Sequence, residues 1–178
     1  MKHAANHNKI QNILLGLGYP FDQFSIDHFV QHVQHHRNRQ ILCVPYPFSP
    51  GISGAWIYGS QVDFIVYRSN THRIHQNHII LHEIAHMLLK HPLRPIKDIL
   101  SPELFEELQM PMGHLRALEV NRAKDVVEQE AEHFVALVQK HVVRAQRLAE
   151  LTAGGSSISA LQPYVQGLPY DEHWDQAK

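Results

Sequence analysis

The chain lacks most of what would mark a secreted, membrane-spanning or nucleic-acid-binding protein. Cys43 is the only cysteine among 178 residues. No intrachain disulfide can form, which fits a reducing compartment rather than a stapled secreted scaffold. No run approaches the roughly 20 consecutive apolar residues that cross a bilayer. The apolar patch Ile13-Leu14-Leu15 near the start is too short for a signal-peptide core, and no small-residue cleavage site follows it. Positive charge is not in excess either, with 16 Lys and Arg against 17 Asp and Glu. A phosphate-backbone partner demands a clustered basic surface, so direct nucleic-acid binding is not expected. Residues 21–36 contain no Arg or Lys, which counts against reading the first two helical segments as a helix-turn-helix. These absences together predict a cytoplasmic protein with no membrane contact.

What is present is an ordinary globular balance, 44% hydrophobic and 19% charged, with an excess of histidine, 16 residues. The length predicts a single domain, residues 1–178, large enough for a real core. Within it, residues 1–38 read as N-terminal helices, 39–151 as the core that carries the site, and 152–178 as an irregular tail. There is no internal repeat.

The histidines are not scattered evenly. Ile79-Ile80-Leu81-His82-Glu83-Ile84-Ala85-His86-Met87-Leu88-Leu89 holds a His-Glu-x-x-His motif inside an apolar run. On a helix, His82 and His86 stand four residues apart and project from one face. That spacing lets two ring nitrogens share one zinc ion. Glu83 lies about 100° around the helix, beside the metal but not on it, where its carboxylate can take a proton from water. The motif is a metalloprotease signature only in a supporting context. The wheel supplies one: Ile74, Leu81, Ile84, Ala85 and Leu88 form a core stripe, and His75, His78, His82 and His86 form the opposite one. The helix is expected to be capped at residues 70–71 and to end near His91, because Pro92 follows. The histidines at 32, 35, 36, 72, 75, 91 and 114 read as solvated.

A catalytic zinc takes a third protein ligand and keeps one position open. Cys43 is one candidate. The other is the acidic cluster Glu128-Gln129-Glu130-Ala131-Glu132-His133-Phe134. It opens a long helical pattern in which Val127, Ala131, Phe134, Val135, Val138, Val142 and Ala145 make one stripe. Glu128 and Glu130 flank that stripe on opposite sides, about 70° and 90° from its centre, and the wheel does not choose between them.

The pairing of Leu81-His82-Glu83-Ile84-Ala85-His86-Met87-Leu88-Leu89 with Glu128-x-x-Ala131-x-x-Phe134 resembles the ImmA/IrrE metallopeptidases. These are gluzincins, in which two motif histidines and a downstream helical glutamate hold zinc. Upstream, Gly54-Ala55-Trp56-Ile57-Tyr58-Gly59 and Val62-Asp63-Phe64-Ile65-Val66-Tyr67 look like the short hairpin that precedes the family's motif helix. The resemblance covers roughly residues 40–140. It implies an α+β, mainly helical zincin-like domain with a small antiparallel sheet before the active-site helix. It implies His82, His86 and Glu128 as zinc ligands, with Glu130 the alternative third ligand, and Glu83 as the catalytic base. Glu132 shares the face of Glu128 and would orient a ligand histidine from behind. Glu132 also marks a departure, since the family usually has Asn or Asp after the alanine. A second departure is the insertion-like segment around residues 92–112. Family members are typically cytoplasmic regulators that cut or control a separate partner, such as a helix-turn-helix transcriptional repressor.

The remaining segments read simply. Residues 4–17 form a first helix stopped by Gly18-Tyr19-Pro20, and Ser25 caps a second to about residue 37. Residues 40–44 are a strand, and the hairpin turns at Gly59-Ser60. A short helix is expected at 102–109 and the long helix at 125–151. A strand of the hairpin, residues 54–58, would align a substrate by β-augmentation. His133 and His141 are candidate oxyanion donors by position alone.

The function expected is thus a zinc-dependent endopeptidase acting on a protein partner. One alternative is a non-catalytic regulatory protein that keeps the zinc as structure. Another is a deformylase-like zinc hydrolase with Cys43 as its third ligand. Against the latter, Leu42-Cys43-Val44 reads as an apolar strand, where a cysteine behaves as a small hydrophobe.

Overall fold

A computed structural model describes residues 2–48, 53–92, 94–95, 116–117 and 126–153. Helix α1 (Lys2–Leu17) ends where Gly18 takes φ 60°, a left-handed turn that glycine adopts without strain. A 3₁₀ turn, Phe21–Gln23, leads to α2 (Ile26–Arg37). Ser25 Oγ accepts from the His28 N–H at 3.1 Å, the N-cap its residue type predicts. Strands β1 (Gln40–Tyr46), β2 (Gly54–Tyr58) and β3 (Val62–Arg68) precede the motif helix α3 (Arg73–Leu89). Two short strands, β4 (Arg94–Pro95) and β5 (Arg116–Ala117), come before the long helix α4 (Val126–Ala153). No described helix is long and apolar enough to cross a membrane.

The architecture is α+β. The sheet order is β1-β3-β2-β5-β4. β2 and β3 form the expected antiparallel hairpin, Trp56 facing Ile65. β1 adds to it in parallel, from Gln40 opposite Val62 to Tyr46 opposite Arg68. β3 therefore lies between two strands and is apolar on both faces at Ile65 and Val66, each 0% exposed. One core gathers Ile10 and Leu14 of α1, Phe29 and Val33 of α2, Ile84 of α3 and Phe134 of α4.

A buried ion cluster ties α2 to the hairpin. Asp63 is fully buried on β3 and meets Arg37 Nη1 at 2.5 Å and Arg39 Nε at 3.0 Å. Arg39 also donates to the Gly59 and Ser60 carbonyls of the β2–β3 turn and lies 4.3 Å over the Tyr58 ring. An arginine fork suits this task because its donors are fixed in one plane.

Several sequence expectations shift. The N-cap of α3 is His72 rather than residues 70–71. The helix stops at Lys90, which takes the left-handed conformation at φ 57°. Ile74, expected inward, is 74% exposed. The angle around the helix was right for a core position, but the first turn projects beyond the layer that covers α3 from Ile79 onward. Of the histidine stripe, His82 and His86 are buried beneath β2 and α4, while His75 near the start of the helix is exposed. His32 is not solvated, since its Nε2 lies 2.6 Å from the Leu17 carbonyl at the end of α1. The expected helix at 102–109 and the tail beyond residue 153 lie outside the described residues.

β2 reaches α3 only because Gly54 has no side chain. A Cβ there would lie 2.5 Å from Ile79 Cγ2 and 3.2 Å from both Glu83 Oε1 and the Val66 carbonyl. Gly54→Ala should therefore force β2 off the helix and lower stability by about 1–3 kcal/mol, read from urea unfolding. An unchanged midpoint would show that the contact is looser than described.

Candidate metal centre

The first turns of α4 pack against the histidine stripe of α3. His82 Nε2 lies 3.1 Å from Glu128 Oε2 and 2.8 Å from His86 Nε2. His86 Nε2 lies 3.7 Å from Glu128 Oε1. All three residues are buried, and their ligand atoms lie within 4.8 Å of one another. Bonds of about 2.0–2.1 Å around a tetrahedral zinc would put ligand atoms roughly 3.3 Å apart. The observed separations bracket that value. The donor set, two imidazoles and one carboxylate, is also that of a catalytic rather than a structural zinc site.

The acidic cluster divides its work. Glu132, one turn beyond Glu128, reaches His82 Nδ1 at 2.8 Å and His78 Nε2 at 3.3 Å. With Nδ1–H donated to Glu132, the Nε2 lone pair of His82 is left facing Glu128 and His86. Glu130, the alternative ligand, is turned the other way. It meets His91 Nε2 and Lys9 Nζ, each at 3.2 Å. Among the described residues a second group with ligand spacing is His78 and His82 of α3 with Glu132 of α4, in which only His82 is buried.

Glu83 is 1% exposed and accepts from the Trp56 backbone N–H of β2. Its Oε2 is buried with no hydrogen-bond partner among the described residues. Burial, then the neighbouring Glu128 charge, push its pKa up to about 8, against the opposing pull of His82 and the Trp56 N–H. Burial, with His82 and His91 beside it, holds His86 down to about 2, so its ring is neutral. For His82 burial works the same way, but the Glu128 hydrogen bond and the charges of Glu83, Glu128 and Glu132 outweigh it and raise the pKa. Burial thus keeps the His86 imidazole neutral, the form in which a ring nitrogen can bind a cation.

Other expectations fare differently. Cys43 sits half-buried in β1 against the core and is absent from both ligand groups. Burial, then Asp27, push its thiol up to about 11, opposite to what a thiolate ligand needs. His133 pairs with His7 at 2.9 Å, and His141 stacks on Phe21 at 5.0 Å. The structure brings neither to the His82–His86–Glu128 group. β2 is an open edge only in part: Ile57 and Tyr58 pair with β5, while Gly54, Ala55 and Trp56 have no strand on that side among the described residues.

Sequence reasoning missed His91. Read as solvated, it is 7% exposed, with Nδ1 2.7 Å from His86 Nδ1. The left-handed turn at Lys90 brings it there, and the His91 N–H donates back to the His86 carbonyl at 3.0 Å. The available signal was a polar residue directly behind a helix end and fixed by Pro92.

Glu83 makes metal-free stability depend on pH. Its folded pKa, about 8, lies above the ordinary carboxyl value near 4.3. Between those limits the unfolded chain binds fewer protons, so the penalty is absent below the window, grows through it and is complete above about 8. In metal-free protein, Glu83→Gln should gain stability over wild type with rising pH, at up to about 1.4 kcal/mol per unit. A gap between the two proteins that stays constant from pH 5 to 8 would contradict the burial of an ionisable Glu83.

Compared with family models, curated proteins and solved structures, the chain matches none of them.

Proposed function

We propose that this protein is a zinc-dependent endopeptidase of the ImmA/IrrE type, acting in the cytoplasm on a separate protein such as a helix-turn-helix repressor. The observation that carries the reading is the convergence of His82, His86 and Glu128, with Glu83 on the next helical position and one oxygen unpaired. His82, His86 and Glu128 would hold the ion. Bound there, zinc would supply Lewis-acid polarisation of a peptide carbonyl.

The chain's own groups divide the remaining work. The Trp56 N–H holds Glu83 in one orientation, leaving the other oxygen to accept a proton from an attacking water and pass it to the leaving amine. A cation nearby favours the ionised carboxylate, so Glu83 becomes a competent base only when the site is filled. Glu132 fixes the His82 ring through Nδ1. The edge at Gly54, Ala55 and Trp56, with no paired strand among the described residues, would accept an extended segment as an added strand. Because Trp56 belongs to that edge and also anchors Glu83, a docked backbone would lie beside the base.

A second reading, a zinc-containing binding protein without catalysis, draws on the near-complete burial of Glu83 and on β5 covering Ile57 and Tyr58. One experiment separates the two. Wild type should carry one zinc per chain by metal analysis and cleave an unfolded substrate such as casein. Glu83→Gln should keep the zinc and lose cleavage by about 100- to 10,000-fold. Zinc in both proteins with cleavage by neither supports the binding protein. Loss of zinc from Glu83→Gln contradicts the role given to Glu83.

A further inference from the structure

We propose that His91 is a positioning residue that presets the tautomer of His86, so that the Nε2 lone pair of His86 faces the metal centre before any ion arrives. This rests on reading His86 as a ligand. A chain of contacts runs from His86 away from the site. His86 Nδ1 lies 2.7 Å from His91 Nδ1. His91 Nε2 lies 3.2 Å from Glu130 Oε2, and Glu130 is held in turn by Lys9 Nζ at 3.2 Å. The His86 and His91 side chains are 0% and 5% exposed, so water is a poor substitute partner for either ring.

A neutral imidazole donates from one nitrogen and accepts at the other. Two arrangements of this pair are possible. In the first, His86 Nδ1–H donates to His91 Nδ1, and His91 Nε2–H donates to Glu130. His86 Nδ1 and both nitrogens of His91 are then paired, and His86 Nε2 carries its lone pair toward His82 and Glu128. In the second, His91 Nδ1–H donates to His86 Nδ1. His91 Nε2 would then set a bare lone pair against the Glu130 carboxylate, and His86 Nε2 would carry a hydrogen where a cation is to bind. Glu130 therefore selects the first arrangement. Leaving a buried polar atom unpaired forfeits its solvation without return, enough to decide a tautomer.

Ligand histidines commonly give their second N–H to a carboxylate or carbonyl, and losing that partner typically weakens metal affinity 10- to 100-fold. His82 obtains such a partner directly from Glu132. His86 obtains the carboxylate of Glu130 through an intervening imidazole. The backbone is arranged for this: the left-handed Lys90 and the His91 N–H bond to the His86 carbonyl hold the two rings edge to face, with centroids 4.9 Å apart.

The test is zinc affinity of the full chain, by chelator competition, with cobalt substituted for zinc to read ligand symmetry. His91→Leu keeps bulk and removes the acceptor; it should bind zinc 10- to 100-fold more weakly and alter the cobalt spectrum. His91→Asn offers a side-chain carbonyl to the His86 Nδ1–H and should recover most of that loss. Glu130→Ala should fall between. A folded His91→Leu with wild-type affinity overturns the proposal, as does an Asn variant no better than Leu, which would make His91 a packing residue. If His91→Leu does not fold, Glu130→Ala decides, and wild-type affinity there overturns it. Wild-type protein that binds no zinc would instead bring down the functional reading, and this proposal with it.

Discussion

The structure depends on one contact, the packing of the first turns of α4 onto the imidazole face of α3. That contact buries His82, Glu83, His86, Glu128 and His91 together. Burying titratable groups in an apolar interior is costly unless each is paired. Here almost every atom is: Glu132 and Glu128 take the nitrogens of His82, His91 takes His86, and Glu130 takes His91. The exception is Glu83 Oε2, which has no partner among the described residues and sits beside the ligand group. In the proposed function, a bound cation is what would complete this arrangement.

The rest of the fold holds that contact in register. Ala131, Phe134 and Val138 of α4 are buried in the same core as Ile84 and Ala85 of α3, so the two helices meet through apolar stripes flanking the polar one. β2 closes the other side, its approach permitted by Gly54 and its backbone tied to Glu83 through Trp56. The Asp63–Arg37–Arg39 cluster fixes the hairpin to α2. Removing one partner from a buried pair of this kind costs roughly 3–5 kcal/mol. The cluster therefore acts on the site at a distance, by keeping β2 in place.

Much of this was legible in the sequence, for identifiable reasons. Periods of 3.6 and 2 placed α3, α4 and the hairpin, and the i, i+4 spacing placed His82 with His86 and Glu128 with Glu132. What escaped depends on packing at right angles to the pattern. A wheel describes the angle around a helix but not the position along it, so Ile74 was read as core and is exposed. It could not choose between Glu128 and Glu130, because both flank the stripe; the neighbours decide, with His82 on one side and His91 and Lys9 on the other. His91 escaped because it lies past the helix end, where a left-handed residue redirects the chain. The parallel pairing of β1 with β3 joins segments whose local sequences do not record each other.

The claim that His82, His86 and Glu128 together form a zinc site is tested most directly by X-ray absorption at the zinc edge on the purified protein. The account predicts two imidazole nitrogens and carboxylate oxygen at about 2.0–2.2 Å, and no sulfur. A sulfur scatterer near 2.3 Å would place Cys43 on the metal and contradict the site described for α3 and α4.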